Sequence, residues 1–229
     1  MKYRKLGNTG LEVSEIGFGT WGIGGTHKGA IAYGPTDDKV SISALHRAYD
    51  VGITFYDTAD LYGYGHSEEL LGSTFKNIRD QVIIASKVGF LSFEGNQDFS
   101  VPHLRESLES SLKRLQSDYI DLYQLHCPPL ELLANQEEIL STLQSLVEDG
   151  KIRAIGIAVR SPEEGLQAIE TFDFQTIQVN FNFTDQRALD IGLFQKCSEK
   201  GVGIIVRTPL CFGFLTGRYS AKDSYDTKD

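Results

Sequence analysis

An aspartate and a tyrosine stand five residues apart in the segment FYDTADLYGYG, where an apolar run ends and glycines follow. The run GITFYD has the aromatic and β-branched content of a strand, and Asp57 closes it. A phenol such as Tyr62 can donate or accept a proton when its pKa approaches the operating pH. Taken singly, Asp57 is more typical of a turn or a helix cap. Tyr62 alone is more typical of a loop aromatic, and Tyr64 offers a second phenol close by.

Two further ionisable residues end apolar runs. Lys87 closes VIIASK, which carries no other charge, and an isolated buried charge costs several kcal/mol unless it is paired. His126 ends DLYQLH just before two prolines, and alone it is more often a hydrogen-bonded core histidine than a catalyst. Together with Asp57 and Tyr62, these groups suit the protonation of an alkoxide as it forms. Asp57 would neutralise Lys87, and Lys87 would lower the pKa of Tyr62 from its reference value of about 10. His126 would then orient a carbonyl oxygen toward the phenol.

The elements that must position these groups are short apolar runs alternating with amphipathic segments, which predicts parallel βαβ units. A doubly wound sheet and a barrel both satisfy that pattern. No GxGxxG follows the first strand, and polar residues end many different strands, so we predict an α/β fold of the (β/α)8 TIM-barrel type. The segment YRKLGNTGLEVS is predicted to be an N-terminal β-hairpin covering the barrel floor. The polar strand-end residues are Asp57, Lys87, His126, Asn180 and Arg207.

The run GVGIIVRT is predicted to be the seventh strand, so the last strand and helices of the barrel are expected to be lacking from the single domain formed by residues 1–229. Three explanations remain open: a fragment of a longer protein, a partner that fills the gap, or a natural variant with altered cofactor use. An open barrel exposes the edges of its first and seventh strands, which predicts self-association across them.

Composition excludes several classes of protein. The net charge is −9 and no lysine/arginine cluster stands out, which argues against nucleic acid as a partner. No apolar run approaches the roughly 18 residues of a membrane helix, and the start has no apolar signal-peptide core. The cysteines have no CxxC spacing and are odd in number, which favours a reducing compartment, so a cytoplasmic protein is expected. They are Cys127, Cys197 and Cys211.

The segments GFGTW, DTADLYGYGHSEELLG, IIASK, DLYQLH and GKIRAIGI occur in this order and closely resemble the aldo-keto reductases over nearly the whole chain. The resemblance implies a catalytic tetrad of Asp57, Tyr62, Lys87 and His126. In that tetrad Tyr62 is the proton donor, Lys87 tunes it while paired with Asp57, and His126 helps to hold the substrate oxygen. The implied activity is NADPH-dependent reduction of an aldehyde or ketone to an alcohol, or the reverse.

The resemblance also implies where the cofactor lies, with NADPH expected and NADH not excluded. The nicotinamide half is expected over Trp21, Gln178 and Arg207, and the pyrophosphate along residues 210–217. A small carbonyl or alcohol is the expected substrate, and no metal is assigned to the site. The implied cofactor-binding residues are Gly19, Thr20, Trp21, Asp57, Gln178, Arg207, Pro209, Leu210, Gly213, Leu215 and Gly217.

The chain departs from the family pattern in several places. Ala158 and Val159 stand where many members have serine–asparagine for the nicotinamide carboxamide, and Arg207 stands where many stack a tyrosine on the ring. The basic segment that grips the adenosine 2′-phosphate is absent. These departures keep a second hypothesis open, a non-catalytic or regulatory scaffold. A third hypothesis is a barrel lyase that uses Lys87 as a Schiff-base amine, which pairing with Asp57 would oppose by keeping Lys87 charged.

Overall fold

The computed structural model describes residues 1–220, and its main sheet is built from the apolar runs that the sequence predicted to be strands. Seven parallel strands, β3 to β9, lie side by side in chain order and curl into a partial barrel. Strands β1 and β2 form the predicted antiparallel hairpin before them. The prediction of a TIM-barrel type fold with an N-terminal hairpin is confirmed. The strands are β1 (Tyr3–Lys5), β2 (Glu12–Ser14), β3 (Phe18–Gly19), β4 (Phe55–Asp57), β5 (Ile83–Val88), β6 (Ile120–His126), β7 (Ile152–Ala158), β8 (Thr176–Asn180) and β9 (Gly203–Arg207).

Helices follow the strands at the amphipathic segments. The last predicted helical segment is divided in two because Gly192 adopts a left-handed conformation with φ 77°. The glycine-rich stretch after β3, where the sequence suggested no helix, contains a single short turn of helix that is too brief to leave a periodic pattern. The helices are α1 (Trp21–Gly24), α2 (Asp38–Asp50), α3 (His66–Phe75), α4 (Val101–Leu115), α5 (Leu130–Asn135), α6 (Glu137–Glu148), α7 (Pro162–Thr171), α8 (Arg187–Asp190) and α9 (Leu193–Lys200).

Local chemistry sets where the helices begin. The Asp37 side chain accepts hydrogen bonds from the backbone N–H groups of Lys39 and Val40 at the start of α2. Ser161 accepts from the N–H of Glu164 at the start of α7, and Pro162 occupies the first turn. Such caps satisfy N–H groups that have no partner inside the helix, so α2 and α7 each start at a defined residue.

Two apolar clusters hold the barrel together. The larger lies between the sheet and the surrounding helices, and it contains Tyr123 of β6. The smaller lies inside the barrel, where Leu6, Leu11 and Val13 of the hairpin contact inward-facing residues such as Leu122. The predicted role of the hairpin as the barrel floor is therefore confirmed. Since side chains alternate along a strand, the residues two and four positions after Leu122 share its inward face.

The partial barrel is open on one side. Within residues 1–220, the sheet neighbour of β3 is β4 and that of β9 is β8, so the outer edges of these two strands have no strand partner. No helix in the described part of the chain is long and apolar enough to cross a membrane. The three cysteines are free thiols.

Candidate active site

A fully buried ammonium group is the centre of the site. The Lys87 Nζ atom, near the end of β5, donates to Asp57 Oδ1 at 2.6 Å, to the Thr58 carbonyl at 2.7 Å and to Tyr62 Oη at 3.2 Å. Burial acts to lower the pKa of Lys87, but Asp57 and Tyr62 outweigh it, so the pKa lies above its ordinary 10.5. Lys87 is therefore a charged donor at neutral pH and not a free amine.

Asp57 is held by three side-chain donors. Its Oδ1 faces Lys87, while its Oδ2 accepts from Gln178 Nε2 at 2.7 Å and from Gln124 Nε2 at 3.2 Å. Its backbone carbonyl accepts from the N–H and the hydroxyl of Thr20, which ties the ends of β3 and β4 together. The carboxylate is therefore fixed in one orientation at the end of its strand.

Tyr62 follows β4 on a short 3-10 turn, where Gly63 has φ 60°. A side chain at Gly63 would collide with the carbonyl oxygen of Gly24, so the close approach of this turn to α1 requires glycine. Tyr64, the other candidate phenol, is partly exposed and its ring packs edge-on against Phe93. Of the two, Tyr62 is the tyrosine that contacts Lys87.

The pKa of Tyr62 shifts in the direction opposite to the one predicted. Burial, the largest influence, raises the pKa above its ordinary 10.0, and the charge of Lys87 offsets only part of that rise. The charge of Lys87 does act to lower the pKa of Tyr62. However, the free energy lost when a phenolate is removed from water is larger than the free energy gained from its attraction to the ammonium group. Tyr62 is therefore a protonated phenol at neutral pH.

His126 ends β6 and lies beside Tyr62, with ring centroids 6.2 Å apart and an edge-on geometry. Phe90 packs edge-on against it at 4.8 Å. Burial lowers the pKa of His126 well below its ordinary 6.5, and the charges of Lys87 and Arg207 lower it further. The imidazole is therefore neutral and can donate one hydrogen bond without carrying a charge.

A cavity of about 1350 Å³ opens at this end of the sheet and extends along the gap between β3 and β9. Asp57, Tyr62 and His126 line it, as predicted. Lys87 does not line it and lies behind Tyr62, so the expectation that all four groups face the cavity is wrong for Lys87. The Phe, Tyr and Trp residues that line it within the described chain are Trp21, Tyr33, Phe55, Tyr62, Phe90, Phe93 and Phe212.

Most of the predicted cofactor-binding residues line the same cavity. Leu215 and Gly217 lie farther along the loop after β9 and are not among its lining residues within the described chain. The Thr20 hydroxyl is engaged by the Asp57 carbonyl and by Ser67, so its role here is to support the strand ends. The predicted residues that line the cavity are Gly19, Thr20, Trp21, Asp57, Gln178, Arg207, Pro209, Leu210 and Gly213.

The departures at Val159 and Arg207 lie in contact with each other at the strand ends. The side chains of Ala158 and Val159 are buried, and the Val159 carbonyl accepts a hydrogen bond from Arg207 Nη2 at 3.1 Å. The guanidinium group at the end of β9 is thereby held beside the cavity. At the position where many family members have a tyrosine, this chain therefore has a planar cation whose guanidinium group is held by a backbone carbonyl.

Two supporting glutamines were missed by sequence reasoning. Gln124 stands two residues before His126, so strand alternation could have placed it on the same inward face. Gln97 Nε2 donates to the carbonyls of His126 and Cys127, and its Oε1 accepts from Arg160 Nη2. No signal in the sequence links the loop that carries Gln97 to these strand ends.

The structure is a partial barrel with an ammonium group, a carboxylate, a phenol and an imidazole close together at the carboxyl ends of its strands. The model of the Aldo/keto reductase family matches residues 15–229, and the chain belongs to this family of oxidoreductases. It is similar to the aldo-keto reductase YhdN of Bacillus subtilis (strain 168), with 39% identity over 238 residues that cover 100% of this chain and 68% of the relative. It is also similar to the solved structure of the aldo-keto reductase AKR11C1 from Bacillus halodurans (holo form). The TM-score is 0.84 and the identity 31%, covering 99% of this chain and 73% of that one.

Two relatives have names that specify a cofactor. The aldo-keto reductase yakc [NADP(+)] of Schizosaccharomyces pombe (strain 972 / ATCC 24843) is 34% identical, covering 99% of this chain and 66% of the relative. The NADH-specific methylglyoxal reductase of Escherichia coli (strain K12) is 33% identical, covering 95% of this chain and 70% of the relative. The chain therefore spans about two thirds of the length of these curated relatives.

Proposed function

We propose that this chain catalyses NAD(P)H-dependent reduction of a small aldehyde or ketone to an alcohol, or the reverse, with Tyr62 as the proton donor. The observation that carries the proposal is the 3.2 Å contact between Lys87 Nζ and Tyr62 Oη at the wall of the cavity. A buried phenol in contact with a fixed cation can lose its proton to a neighbouring oxygen, because the cation stabilises the phenolate that remains.

The residues of the cavity fit a nicotinamide cofactor. A Cβ atom built at Gly19 meets nothing within 4 Å, so the backbone there is open to a ligand. The nitrogen of Gln178 is committed to Asp57, which leaves its oxygen to accept from a carboxamide N–H. The planar guanidinium of Arg207 can stack on a ring. Pro209, Leu210 and Gly213 would follow the pyrophosphate.

The reduced nicotinamide supplies a hydride when it is bound, and this chain supplies the proton. The substrate carbonyl oxygen would lie near Tyr62 Oη and His126. As negative charge develops on that oxygen, Tyr62 transfers its phenolic proton to it and becomes a phenolate beside Lys87. Because the pKa of Tyr62 is raised, the phenol holds its proton until such an acceptor is present.

His126 has a different part in the proposed reaction. Its depressed pKa keeps the imidazole neutral, so it orients the carbonyl oxygen by donating a hydrogen bond and does not compete as an acid. The edge-on contact with Phe90 holds the ring against the cavity wall. Proton transfer and substrate orientation are therefore assigned to separate groups.

Both NADPH and NADH are to be tested as cofactors, since one relative is named for NADP(+) and another for NADH. We expect NADPH, which is typical of the family. The Schiff-base alternative is disfavoured because Lys87 uses its donors on Asp57, Thr58 and Tyr62 and has a raised pKa. A scaffold without activity remains the outcome that would contradict the proposal.

The test is a cofactor-oxidation assay at 340 nm with a panel of small aldehydes and ketones and either NADPH or NADH. Tyr62→Phe is expected to lower turnover by about 10²–10⁴-fold, the range of general acid catalysis, while the affinity for the cofactor is kept. Tyr64→Phe is the matched control and is expected to keep its turnover, because Tyr64 packs on Phe93 and not on Lys87. Equal turnover in the wild type and Tyr62→Phe would contradict the proposal.

A further inference from the structure

One oxygen of the Asp57 carboxylate, Oδ2, accepts hydrogen bonds from two side-chain amides that lie on separate strands. Gln124 Nε2, on β6, lies 3.2 Å from Asp57 Oδ2, and Gln178 Nε2, on β8, lies 2.7 Å from the same atom. The other oxygen, Oδ1, faces Lys87 Nζ at 2.6 Å. Amide donors on one oxygen and an ammonium donor on the other leave the carboxylate a single favourable rotation.

The two glutamines differ in whether they line the cavity. Gln178 lines the cavity, so a ligand there would contact it directly. Gln124 is completely buried and is not among the cavity-lining residues of the described chain. Within the described residues its side-chain amide donates to Asp57, while its backbone lies beside that of Lys87 in the neighbouring strand β5. The hydrogen-bonded route from the Gln124 side chain to the proposed chemistry therefore runs through that carboxylate.

The fold itself does not require an amide at this position. The Oε1 atom of Gln124 is buried and has no hydrogen-bond partner within residues 1–220, which is an unfavourable arrangement. The preceding inward-facing residue of β6, Leu122, packs in the apolar cluster over the hairpin. An apolar side chain at position 124 would continue that cluster without leaving a carbonyl oxygen unpaired.

The neighbouring strand makes room for the glutamine. A Cβ atom at Gly156 of β7 would lie 3.1 Å from Gln124 Cγ and would collide with the hydroxyl of Thr176. Because Gly156 has no side chain, it leaves room for the side chain of Gln124, whose amide donates to Asp57. Gln124, Gly156 and Thr176 thus form one buried layer beneath Asp57.

We infer that Gln124 is a positioning residue: its amide holds the Asp57 carboxylate in the rotation that fixes Lys87 against Tyr62. The inference rests on the proposed function, since it deepens the role given there to Lys87 and Tyr62. The charged and titratable groups around this contact are Asp57, Lys87, Tyr62, His126 and Arg207, and none of them touches the Gln124 amide except Asp57 within the described residues.

The first test is kinetic and uses Gln124→Met, which keeps the side-chain length and removes the amide. Turnover is expected to fall by about 10- to 100-fold, as for a small misplacement of a reacting group, with an unchanged cofactor dissociation constant and an unchanged or higher urea midpoint. Thr176→Val is the matched control, because it removes a buried hydroxyl from the same layer without touching Asp57. It is expected to keep its turnover.

Full turnover in a folded Gln124→Met variant would overturn the inference. Loss of stability with turnover retained per folded molecule would overturn it as well, since that pattern indicates a structural role. The same fall in Thr176→Val would also count against it, because the effect would then follow from repacking of the layer. Loss of turnover without loss of stability is the pattern that supports positioning.

The second test needs no activity and therefore separates this inference from the proposed function. Gln124→Glu places a carboxyl group against Asp57, and the like charge beside it makes ionisation of the introduced carboxyl unfavourable. Its urea midpoint is expected to fall below that of the wild type at pH 7, and this deficit is expected to shrink as the pH drops below about 4, where the introduced glutamate is protonated in both the folded and the unfolded state. Asp57→Asn serves as a second background, because it removes the acid and carries the loss of the Lys87–Asp57 pair in both proteins compared. The deficit that Gln124→Glu causes at pH 7 is expected to be smaller in the Asp57→Asn background than in the wild-type background.

If the wild type reduces no carbonyl compound, the proposed function fails. The stability measurements on Gln124→Glu, with and without Asp57→Asn, still test the contact between residues 124 and 57. A Gln124→Glu variant as stable as the wild type at pH 7 would overturn the inference. An equal deficit from Gln124→Glu in the wild-type and Asp57→Asn backgrounds would overturn it too, because the introduced carboxyl would then be destabilised by burial alone and not by Asp57.

Discussion

The ammonium nitrogen of Lys87 lies 3.2 Å from the phenolic oxygen of Tyr62, and yet burial holds the pKa of that phenol above its ordinary 10.0. The cation therefore does not ionise the phenol in advance. It stands ready to stabilise the phenolate once the proton has moved, which suits a general acid that must keep its proton until the substrate is in place.

The raised pKa of Tyr62 predicts the pH profile of carbonyl reduction. The phenol is the proton donor in its protonated form, which persists until the pH exceeds its pKa. We expect kcat/KM for reduction to stay level through neutral and mildly alkaline pH and to fall only above pH ~10. The measurement is the initial rate across pH in buffers of constant ionic strength. A fall centred near pH 7 would contradict this assignment.

Lys87 and Asp57 are expected to stabilise the fold as a pair. Lys87→Met leaves a carboxylate with no cation beside it and is expected to lower the free energy of unfolding by about 3–5 kcal/mol, the cost of breaking a buried ion pair. Lys87→Met combined with Asp57→Asn is expected to cost less than the single change. Urea unfolding measures both, and equal losses in the two variants would contradict the pairing.

The same pair has a pH signature. Because the folded-state pKa of Lys87 is raised above its unfolded value of about 10.5, its stabilising effect is fully present below that pH and is lost as the pH rises through the folded-state pKa. The wild type is therefore expected to lose its stability advantage over the double variant in strongly alkaline solution. An advantage that grows above pH ~10.5 would show the opposite sign.

The buried, neutral His126 predicts a loss of folding stability at acid pH. Its folded-state pKa is depressed, so the neutral imidazole stabilises the fold above the unfolded pKa, and that stability is lost as the pH falls below about 6.5. His126→Gln keeps a neutral hydrogen-bond donor and is expected to remove this part of the acid sensitivity. Urea midpoints of the two proteins between pH 7 and pH 5 provide the comparison; parallel curves would contradict the buried neutral state.

Asp121, at the start of β6, provides a test of stability far from the proposed chemistry. It is completely buried and accepts from Arg79 Nη2 at 2.7 Å, from Arg153 Nη1 at 2.9 Å and from the Ile84 N–H at 2.9 Å. Asp121→Ala leaves the nearly buried Arg79 without its anion and is expected to cost about 3–5 kcal/mol, with turnover per folded molecule kept. The exposed Asp173→Ala is the control. A large effect of Asp173→Ala, or none of Asp121→Ala, would contradict this account.

The open side of the barrel predicts self-association, which we propose for the 229-residue chain. The outer edge of β9 has no strand partner within residues 1–220, and such edges pair with other chains. Val206→Lys places a charge on this edge and is expected to shift light scattering toward the monomer. Leu189→Lys, on α8 and similarly exposed, is the control. A wild-type monomer at all concentrations would contradict the prediction.

Much of this protein follows from the sequence alone. Seven apolar runs and their helices fix the order of the strands, because local periodicity specifies each element and parallel strands joined by helices have one common arrangement. The residues at the carboxyl ends of neighbouring strands converge for the same reason. Asp57, Tyr62 and His126 were therefore placed at one cavity by their positions in the sequence.

The tertiary structure decided what depends on distance and on the balance of opposing effects. It placed Lys87 behind Tyr62 and not in the cavity wall, and it brought Gln124 and Gln178 onto one oxygen of Asp57. It also reversed the expected shift of the Tyr62 pKa. A sequence shows that a cation stands near a phenol, but the pKa depends on how completely both are removed from water, and packing of the whole barrel sets that burial.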